Sequence, residues 1–279
     1  MIAVAAGLVC AAATLPAQTM RTMSVSRPVG SERMLRVTLD YTGGSLIVAP
    51  ATDGALYGLQ LRYDADRSEP IHRYDARTGI LHIGLAPSGG VALRVGDPAQ
   101  SAQRARITVS PDLPLIFDAD LGGSEAAIDL GGTMLSEIDV HANASHSTVD
   151  FSRPTRGNCR VASFAVGAAD IDVHHLAAAG CTTIRLDGGA GGATLRFDGG
   201  WRANATLDVN LSMGKLTLVM VRGTGLRVTG QRFLAPLGRN GLVQSGAGWV
   251  TPGFASAPHT LDVNLKASLV GIDVQWVDR

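Results

Sequence analysis

The sequence lacks an excess of either charge, since 24 lysines and arginines stand against 24 aspartates and glutamates. A chain without a net charge has no overall electrostatic attraction to nucleic acid or to an anionic membrane, so its composition predicts neither partner. Aromatic residues make up only 5% of the chain, whereas glycine contributes 34 residues. Few large rings and many glycines favour a thin, turn-rich β structure over a deep globular core.

The common signatures of catalytic and nucleotide sites are also missing. The sequence has no Gly-x-Ser-x-Gly elbow, and its glycines lie between predicted strands with no helix after them, which argues against a P-loop or a dinucleotide fingerprint. Residues 188–195 are similar to a calcium-binding β-roll nonapeptide, but Ala193 stands where that motif requires aspartate. We therefore predict a protein that is not an enzyme and that uses no cofactor or metal.

No apolar run is long enough to cross a bilayer, which takes about 20 residues. Residues 1–17 are apolar and end in Pro16-Ala17, which fits the h-region and cleavage site of a secretory signal peptide, although the basic n-region is missing. Cys10 does not form a lipoprotein site, because Val9 occupies a position that needs a small residue. We expect export to the periplasm, the cell surface or the medium, without stable membrane insertion after cleavage. A buried N-terminal helix is the alternative.

What the sequence does contain is a repeat of alternating apolar and polar residues. One copy runs over residues 138–142, turns through residues 143–148 and continues over residues 149–151. The first strands of successive copies begin at positions 117, 138, 162, 184 and 207, so the period is about 23 residues. Such a period is typical of a solenoid, because each unit has an apolar face that it can bury only against its neighbours.

The repeat predicts an all-β solenoid of stacked rungs. Its register is strongly specified, because a slip of one residue would turn each strand inside out. The alternative is a stack of antiparallel hairpins, in which the two strands of one copy pair with each other. Breaks in the pattern predict a signal peptide at 1–17, a linker at 18–34, an antiparallel N-terminal sheet region at 35–110, solenoid repeats at 111–223, an aromatic insertion at 224–258 and a final rung at 259–279.

The insertion at residues 224–258 contains three of the few large rings in the chain, namely Phe233, Trp249 and Phe254. An open solenoid offers unpaired backbone at its last rung, so we interpret the insertion as a cover for that edge. The alternative is a binding lip, in which case the three rings would form an interaction surface. The repeat resumes after the insertion, where residues 261–265 are identical to residues 207–211.

Two cysteines are separated by nearly one period of the repeat. Cys159 and Cys181 each lie just before a first strand. Neighbouring rungs of a solenoid are about 4.8 Å apart, which is within the Cα range of a disulfide. Export would supply the oxidising compartment that a disulfide needs. We therefore predict a bridge between Cys159 and Cys181, with two stacked free thiols as the alternative.

Polar side chains on the outward positions have a functional and an ordinary interpretation. Four histidines fall on neighbouring copies of the repeat: His141, His146, His174 and His175. No spacing among them matches a zinc motif, and a solvated histidine is the ordinary outcome at such a position. Outward aspartates such as Asp118, Asp139 and Asp208 could act like the carboxylates of parallel β-helix enzymes that cleave polysaccharides. Because any soluble rung needs polar residues there, a carbohydrate-active enzyme is the alternative rather than the favoured function.

Several stretches resemble the bacterial toast-rack domain proteins: residues 166–173, residues 188–197, and the segments 248–255, 260–263 and 271–274 near the end of the chain. These proteins are similar to the LiaF-like cell-envelope stress domains and to the "putative adhesin" β-solenoids. The resemblance covers roughly residue 35 to the C-terminus. It implies an exported or envelope-facing structural or interaction module, with no known active site and with an envelope protein or polysaccharide as partner.

The chain departs from that family in two respects. Asn143-Ala144 replaces the usual Gly-Ala turn, and the sequence has no membrane segments like those of the LiaF proteins. A cell-envelope stress regulator that acts through a membrane partner is therefore a further alternative rather than the favoured function.

Overall fold

The computed structural model describes residues 19–88, 103–231, 241–246 and 248–278. The predicted signal peptide and Phe233 lie outside the described residues. The fold is all-β, as predicted, and seventeen strands of the described chain join in one hydrogen-bonded sheet. The strands are β1 Met20–Pro28, β2 Leu35–Pro50, β3 Ala55–Asp64, β4 Ser68–Asp75, β5 Ile80–Pro87, β6 Arg104–Val109, β7 Pro114–Asp129, β8 Met134–Ala142, β9 His146–Asp150, β10 Val161–Val166, β11 Asp170–His174, β12 Thr183–Phe197, β13 Ala205–Val221, β14 Gly225–Gln231, β15 Val243–Ser245, β16 Gly248–Val250 and β17 Thr260–Val277.

Successive copies of the repeat stack in parallel. Ile138 of β8 lies beside Phe117 of β7 on one side and beside Ala162 of β10 on the other. This register, one period apart, is that of a solenoid and not of antiparallel hairpins. The coils follow one another as β7, β8 with β9, β10 with β11, β12 and β13.

The inward side chains of the coils form one continuous core. Phe117, Ile138, Phe164 and Leu207 are all buried. Burying a large apolar side chain contributes roughly 1.5–3 kcal/mol, and each coil supplies several of them. Because a single coil leaves one side of these residues exposed, the coils stabilise one another by stacking.

The N-terminal region contains the expected antiparallel pairs together with parallel ones. β3 pairs antiparallel with β1 and β6, and β4 pairs antiparallel with β5. β2, however, pairs in parallel with β5, β6 and β7. It has the same two-strand alternation as the later coils, and its Leu35 and Leu46 stack beside Leu115 and Ala126 of β7. β2 and β7 are therefore neighbouring coils, and β5 and β6, from the chain that connects them, lie on the other side of β2.

The order of strands changes at the other end of the solenoid. β17 lies between β13 and β14, although β14 comes before it in the chain. After β13 the chain skips the position next to β13 and forms β14 to β16 beyond it. It then returns as β17, which pairs with β13 on one side and with β14 on the other. β14 pairs with Thr260 to Lys266, which is the first part of the outer edge of β17.

The bridge that the cysteine spacing predicts is present. Cys159 and Cys181 form a disulfide with a Cα–Cα distance of 4.3 Å. It joins the connections that lead into β10 and β12, so it ties two neighbouring coils together. The second of these connections includes the single-turn helix α1, Leu176–Ala179, whose four residues are buried.

Candidate functional site

Two clefts flank the turn through which the chain leaves the solenoid after β13. The Trp201 cleft, of about 450 Å³, is lined by Trp201 and His259, and the Trp276 cleft, of about 400 Å³, is lined by Trp276 and Arg222. Both clefts are also lined by the turn residues Gly223 and Thr224 and by Pro258. They therefore lie side by side at the end of the solenoid, where the insertion departs and returns.

Backbone hydrogen bonds fix the turn between the two ends of β17. The amide of Gly225 donates to the carbonyl of His259 over 2.9 Å, and the amide of Arg222 donates to the carbonyl of Val277 over 3.0 Å. The amide of Thr224 closes the turn on the carbonyl of Val221. Both clefts are consequently built on hydrogen-bonded backbone rather than on a free loop. Recognition sites are usually preformed clefts of this kind.

Trp201 and His259 line the Trp201 cleft and belong to a stack of three rings, the third of which, Phe197, is buried in the core. The centroid of Trp201 is 5.7 Å from that of Phe197 and 5.9 Å from that of His259, with interplanar angles of 14° and 9°. The indole Nε1 of Trp201 is buried and has no hydrogen-bond partner. An unpaired buried donor costs about 1–3 kcal/mol.

Asp198 supplies a fixed carboxylate to the lining of the Trp201 cleft. Asp198 lines the cleft and accepts a 3.0 Å hydrogen bond from the backbone amide of His175. Nδ1 of His175 lies 2.7 Å from Oδ1 of Asp150. This contact raises the pKa of His175, with a smaller contribution from the negative charge of Asp198. The arrangement joins the cleft to the neighbouring coil.

An ion pair connects the two clefts at their mouths. Nε of Arg222, in the Trp276 cleft, is 3.1 Å from Oδ1 of Asp278, in the Trp201 cleft. Both side chains are largely exposed, so the pair contributes little to stability. It leaves charged groups of both signs within reach of a partner that enters either cleft.

Trp249 and Phe254, the two described rings of the three that the sequence singles out in the insertion, lie elsewhere. Trp249 lies in β16 and packs, partly buried, against the hydrophobic core. Phe254 lies beneath Arg227, whose Cζ is 4.1 Å from the ring centroid, and Arg227 in turn pairs with Asp262. Neither ring belongs to the lining of the two clefts.

The rings that do line the clefts belong to the repeats and were missed by reasoning from sequence. Trp201 comes shortly after the end of β12, and Trp276 comes at the end of β17. The available signal was this shared position, since both tryptophans stand at or shortly after the end of the second strand of a coil.

The outward aspartates mostly pair with the coil beside them. Asp118 accepts a hydrogen bond from Arg36 over 2.9 Å, and Asp208 accepts one from Asn264 over 2.8 Å. Asp187 and Asp120 accept comparable bonds from Asn210 and Asn143. These residues form ladders of hydrogen bonds along the outside of the solenoid, which is a structural arrangement.

Asp139 differs from the other outward aspartates. Burial raises its pKa, and the negative charge of Asp118 adds to this, while the nearby His141 opposes it. Nε2 of His141 lies 3.2 Å from Oδ1 of Asp139 without hydrogen-bond geometry. Both residues line a shallow depression of about 170 Å³ that also includes Asp40.

The described ranges of the chain contain neither a clustered metal site nor a helix that could span a membrane. No group of three or more histidine, cysteine, aspartate or glutamate side chains is arranged there to hold a metal ion. None of the helices in those ranges combines the length and the hydropathy that a membrane span requires.

Comparison with known proteins gives the family. The model of the "N-terminal domain of toast_rack, DUF2154" matches residues 16–174, which is more than half of the chain. The chain belongs to the toast-rack family. The resemblance found in the repeats and turns is therefore confirmed. No curated protein matches this toast-rack chain by sequence.

A solved structure of similar fold supports the same architecture. A "putative cell adhesion protein" from Clostridium sporogenes ATCC 15579 has a TM-score of 0.51 at 13% identity, covering 93% of this chain and 100% of its own. A "putative adhesin" from Bacteroides fragilis NCTC 9343 has a TM-score of 0.42 at 11% identity, covering 94% of this chain and 99% of its own. At these identities the likeness concerns the fold.

Proposed function

We propose that this toast-rack protein is an exported, non-catalytic interaction module of the bacterial envelope, and that a partner binds at its two terminal clefts. The observation that carries the proposal is the stacked pair of Trp201 and His259 in the wall of a cleft of about 450 Å³. A concave site with apolar rings and a few convergent polar groups is the usual form of a recognition site. The name of the Clostridium protein, which refers to cell adhesion, agrees with this function.

The paired aspartates support a non-catalytic role. A general acid or base must be free to exchange a proton with a substrate. Asp118 and Asp208 instead accept hydrogen bonds from Arg36 and Asn264 on neighbouring coils. Their regular spacing is thereby explained by contacts between coils.

Export is tested by cell fractionation and mass spectrometry in the native host. We expect the protein in the envelope or outside the cell, with a mass that lacks residues 1–17. A cytoplasmic protein that retains those residues would contradict export, whatever the clefts bind.

The site is tested by placing a photo-crosslinking residue, benzoylphenylalanine, at Gly200 in the Trp201 cleft. A Cβ atom at Gly200 would meet no heavy atom within 4 Å, and the same is true of Gly189, at the corner of β12, which is the matched control. We expect a specific adduct in the native envelope from position 200 and none from position 189. Equal labelling from both positions, or none from position 200, would contradict the proposed site.

A carbohydrate-active enzyme is the second candidate, and the raised pKa of Asp139 favours it. The shallow depression around Asp139 holds further carboxylates, of which Asp118 and Asp40 are two. Hydrolase and lyase assays on envelope polysaccharides would distinguish the candidates. Turnover that Asp139→Ala or Asp208→Ala abolishes would overturn the non-catalytic proposal, and we expect no turnover.

A further inference from the structure

Three arginines lie together on the outer face of the solenoid, at the end opposite to the clefts. Arg62 of β3 stands directly opposite Arg104 of β6 in the antiparallel pair. Arg106 lies two residues further along β6, on the same face. Opposed residues of neighbouring strands are only about 5 Å apart, so the three guanidinium groups share one surface. We call this surface the arginine patch.

The arginine patch is electrostatically unsatisfied. All three side chains are exposed, and within the described residues none of them forms an ion pair or a hydrogen bond. Like charges directly opposite each other destabilise a sheet. Some outward arginines of this protein are paired, for example Arg36 with Asp118 and Arg227 with Asp262, whereas others, such as Arg73, form no ion pair within the described residues. The patch is distinguished by the grouping of three unpaired guanidinium groups on one surface.

A cleft of about 330 Å³ runs across the patch. Besides the arginines it is lined by Thr22, Ser45 and Gln60, which offer hydroxyl and amide groups. Ile47, which is 41% exposed, supplies an apolar contact in the same cleft. Guanidinium groups bind carboxylates, sulfates and phosphates through paired hydrogen bonds, and the neutral polar groups suit the hydroxyls of a sugar.

Acidic residues limit the patch on one side. Ser45 lies beside Arg104, and the next residue in this row across the strands is Glu125 of β7. Asp170 of β11 lies in the same row two strands further. A flat anionic membrane large enough to meet the patch would also meet these carboxylates and be repelled by them. A narrow polymer that lies along β3 and β6 would not. The lining of the cleft also contains no aromatic ring of the kind that anchors a protein in a bilayer.

We propose that the arginine patch binds an anionic polysaccharide, whose acidic groups pair with Arg62, Arg104 and Arg106. The overall charge of the chain is zero, so this attraction is local and would not appear in the composition. The patch and the terminal clefts lie at opposite ends of the stack of coils. A polymer held at one end leaves the other end free for a second partner.

The test measures binding of the full chain to polygalacturonate and dextran sulfate, with uncharged dextran for comparison. We expect both anionic polymers to bind, dextran not to bind, and the affinity to fall as salt is added. Replacing all three arginines by glutamine should weaken binding by about tenfold or more, because each guanidinium makes charge-assisted hydrogen bonds. The corresponding triple lysine variant keeps the charge but loses the paired geometry, so it should bind with intermediate affinity.

A second triple variant controls for net charge. Arg73→Gln, Arg77→Gln and Arg185→Gln also remove three exposed arginines, but from other surfaces. We expect it to bind within about twofold of the wild type, since those groups do not line the cleft. Equal loss in both triple variants, or no loss in the patch variant, would overturn the proposal. Thermal unfolding of each variant establishes that it is folded. If the glutamine variant does not fold, the lysine variant still tests the proposal.

Two further probes address the choice of partner. Polyglutamate carries carboxylates on a peptide, and vesicles of phosphatidylcholine with one quarter phosphatidylglycerol present an anionic membrane. Binding of either probe as tightly as polygalacturonate, with loss in the patch variant, would overturn the assignment to a polysaccharide. Crosslinking from Gly200 should be the same in the patch variant as in the wild type, so failure of this proposal is distinguishable from failure of the proposed function.

Discussion

His175 shows how one residue can connect two coils and a cleft. It is the single residue other than glycine with a positive φ in the described chain, at 53°. Its backbone amide binds Asp198 and its ring binds Asp150. Such a conformation is uncommon outside glycine and asparagine and needs support from its surroundings. The two carboxylates provide that support.

The raised pKa of His175 predicts a pH-dependent stability. Its contribution is fully present below pH 6.5, the ordinary value, and is lost as the pH rises through the higher pKa of the folded state. We expect the melting temperature to fall over that range. The corresponding loss in the free energy of unfolding should be less than about 1 kcal/mol, because solvent screens the pair. His175→Asn tolerates the same backbone and does not titrate, so its melting temperature should be flat over that range. An unchanged pH dependence in this variant would refute the assignment.

Asp139 predicts an effect of the opposite kind. Because its pKa is raised in the folded state, its ionised form costs stability above that pKa, and the cost disappears as the pH falls towards 3.8. Asp139→Asn should therefore be more stable than the wild type at neutral pH, by at most about 1 kcal/mol for a half-exposed group. The advantage should vanish in acid, as thermal unfolding at several pH values would show. A less stable variant at neutral pH would mean that the contact with His141 outweighs the burial.

At the scale of elements, the corner between the two halves of each coil sets how closely the coils approach. Gly214 of β13 has φ of 128°, and a Cβ atom there would overlap the carbonyl oxygen of Gly191 on β12. The small residues of these corners thus allow the backbones of neighbouring coils to come into contact.

Gly214→Ala should lower the free energy of unfolding by about 3 kcal/mol, because it combines backbone strain with a steric overlap between coils. Gly189→Ala is the matched control at the same corner, since a Cβ there meets nothing within 4 Å. We expect it to stay within about 1 kcal/mol of the wild type in urea titrations. Equal losses in both variants would show that the overlap with Gly191 is not the cause.

The disulfide between Cys159 and Cys181 also links two neighbouring coils. Removing it by Cys159→Ser should lower the free energy of unfolding by about 3 kcal/mol, the effect expected for closing a loop of this size. Cys181→Ser should cost the same, because either change breaks the one bridge. Thiol titration of the unfolded, unreduced protein should find no free thiol in a chain without residues 1–17, and only that of Cys10 in the full chain. Two additional thiols would exclude the bridge.

At the scale of the whole molecule, the insertion determines how the solenoid ends. β14 pairs with the part of the β17 edge from Thr260 to Lys266, which would otherwise offer unpaired backbone to other chains. The same excursion creates the turn at Gly223 and Thr224, on whose two sides the clefts lie. Protection of the edge and formation of the clefts are thus two results of one change in strand order.

Replacing residues 224–258 by a copy of residues 198–204, the connection between β12 and β13, should expose that edge. We expect the variant to form larger species than the wild type, increasingly so with concentration, as light scattering after size exclusion would show. Adding Asn264→Lys places a charge on the exposed edge and should reduce this association. A variant of the same size as the wild type would show that β14 does not protect the edge.

The alternation of apolar and polar residues was sufficient to predict the solenoid. A strand with one buried face has a side-chain period of two, so its register follows from local sequence, as the pairing of Ile138 with Phe117 shows. The spacing of Cys159 and Cys181 predicted their bridge for the same reason, because one period of sequence equals one coil of structure. These features depend on residues within a coil and on its immediate neighbours.

Only the tertiary structure decided where the surfaces with chemistry lie. Arg62 and Arg104 look like ordinary outward residues until β3 and β6 become neighbours, and Trp201 and His259 stack only because the chain leaves the solenoid and returns. Such contacts join residues that are far apart in sequence, through pairings that depend on the free energy of the whole stack. The repeat by itself therefore determined how the coils stack. The segments that interrupt the repeat determined the clefts and the arginine patch, because no local period specifies how those segments pair.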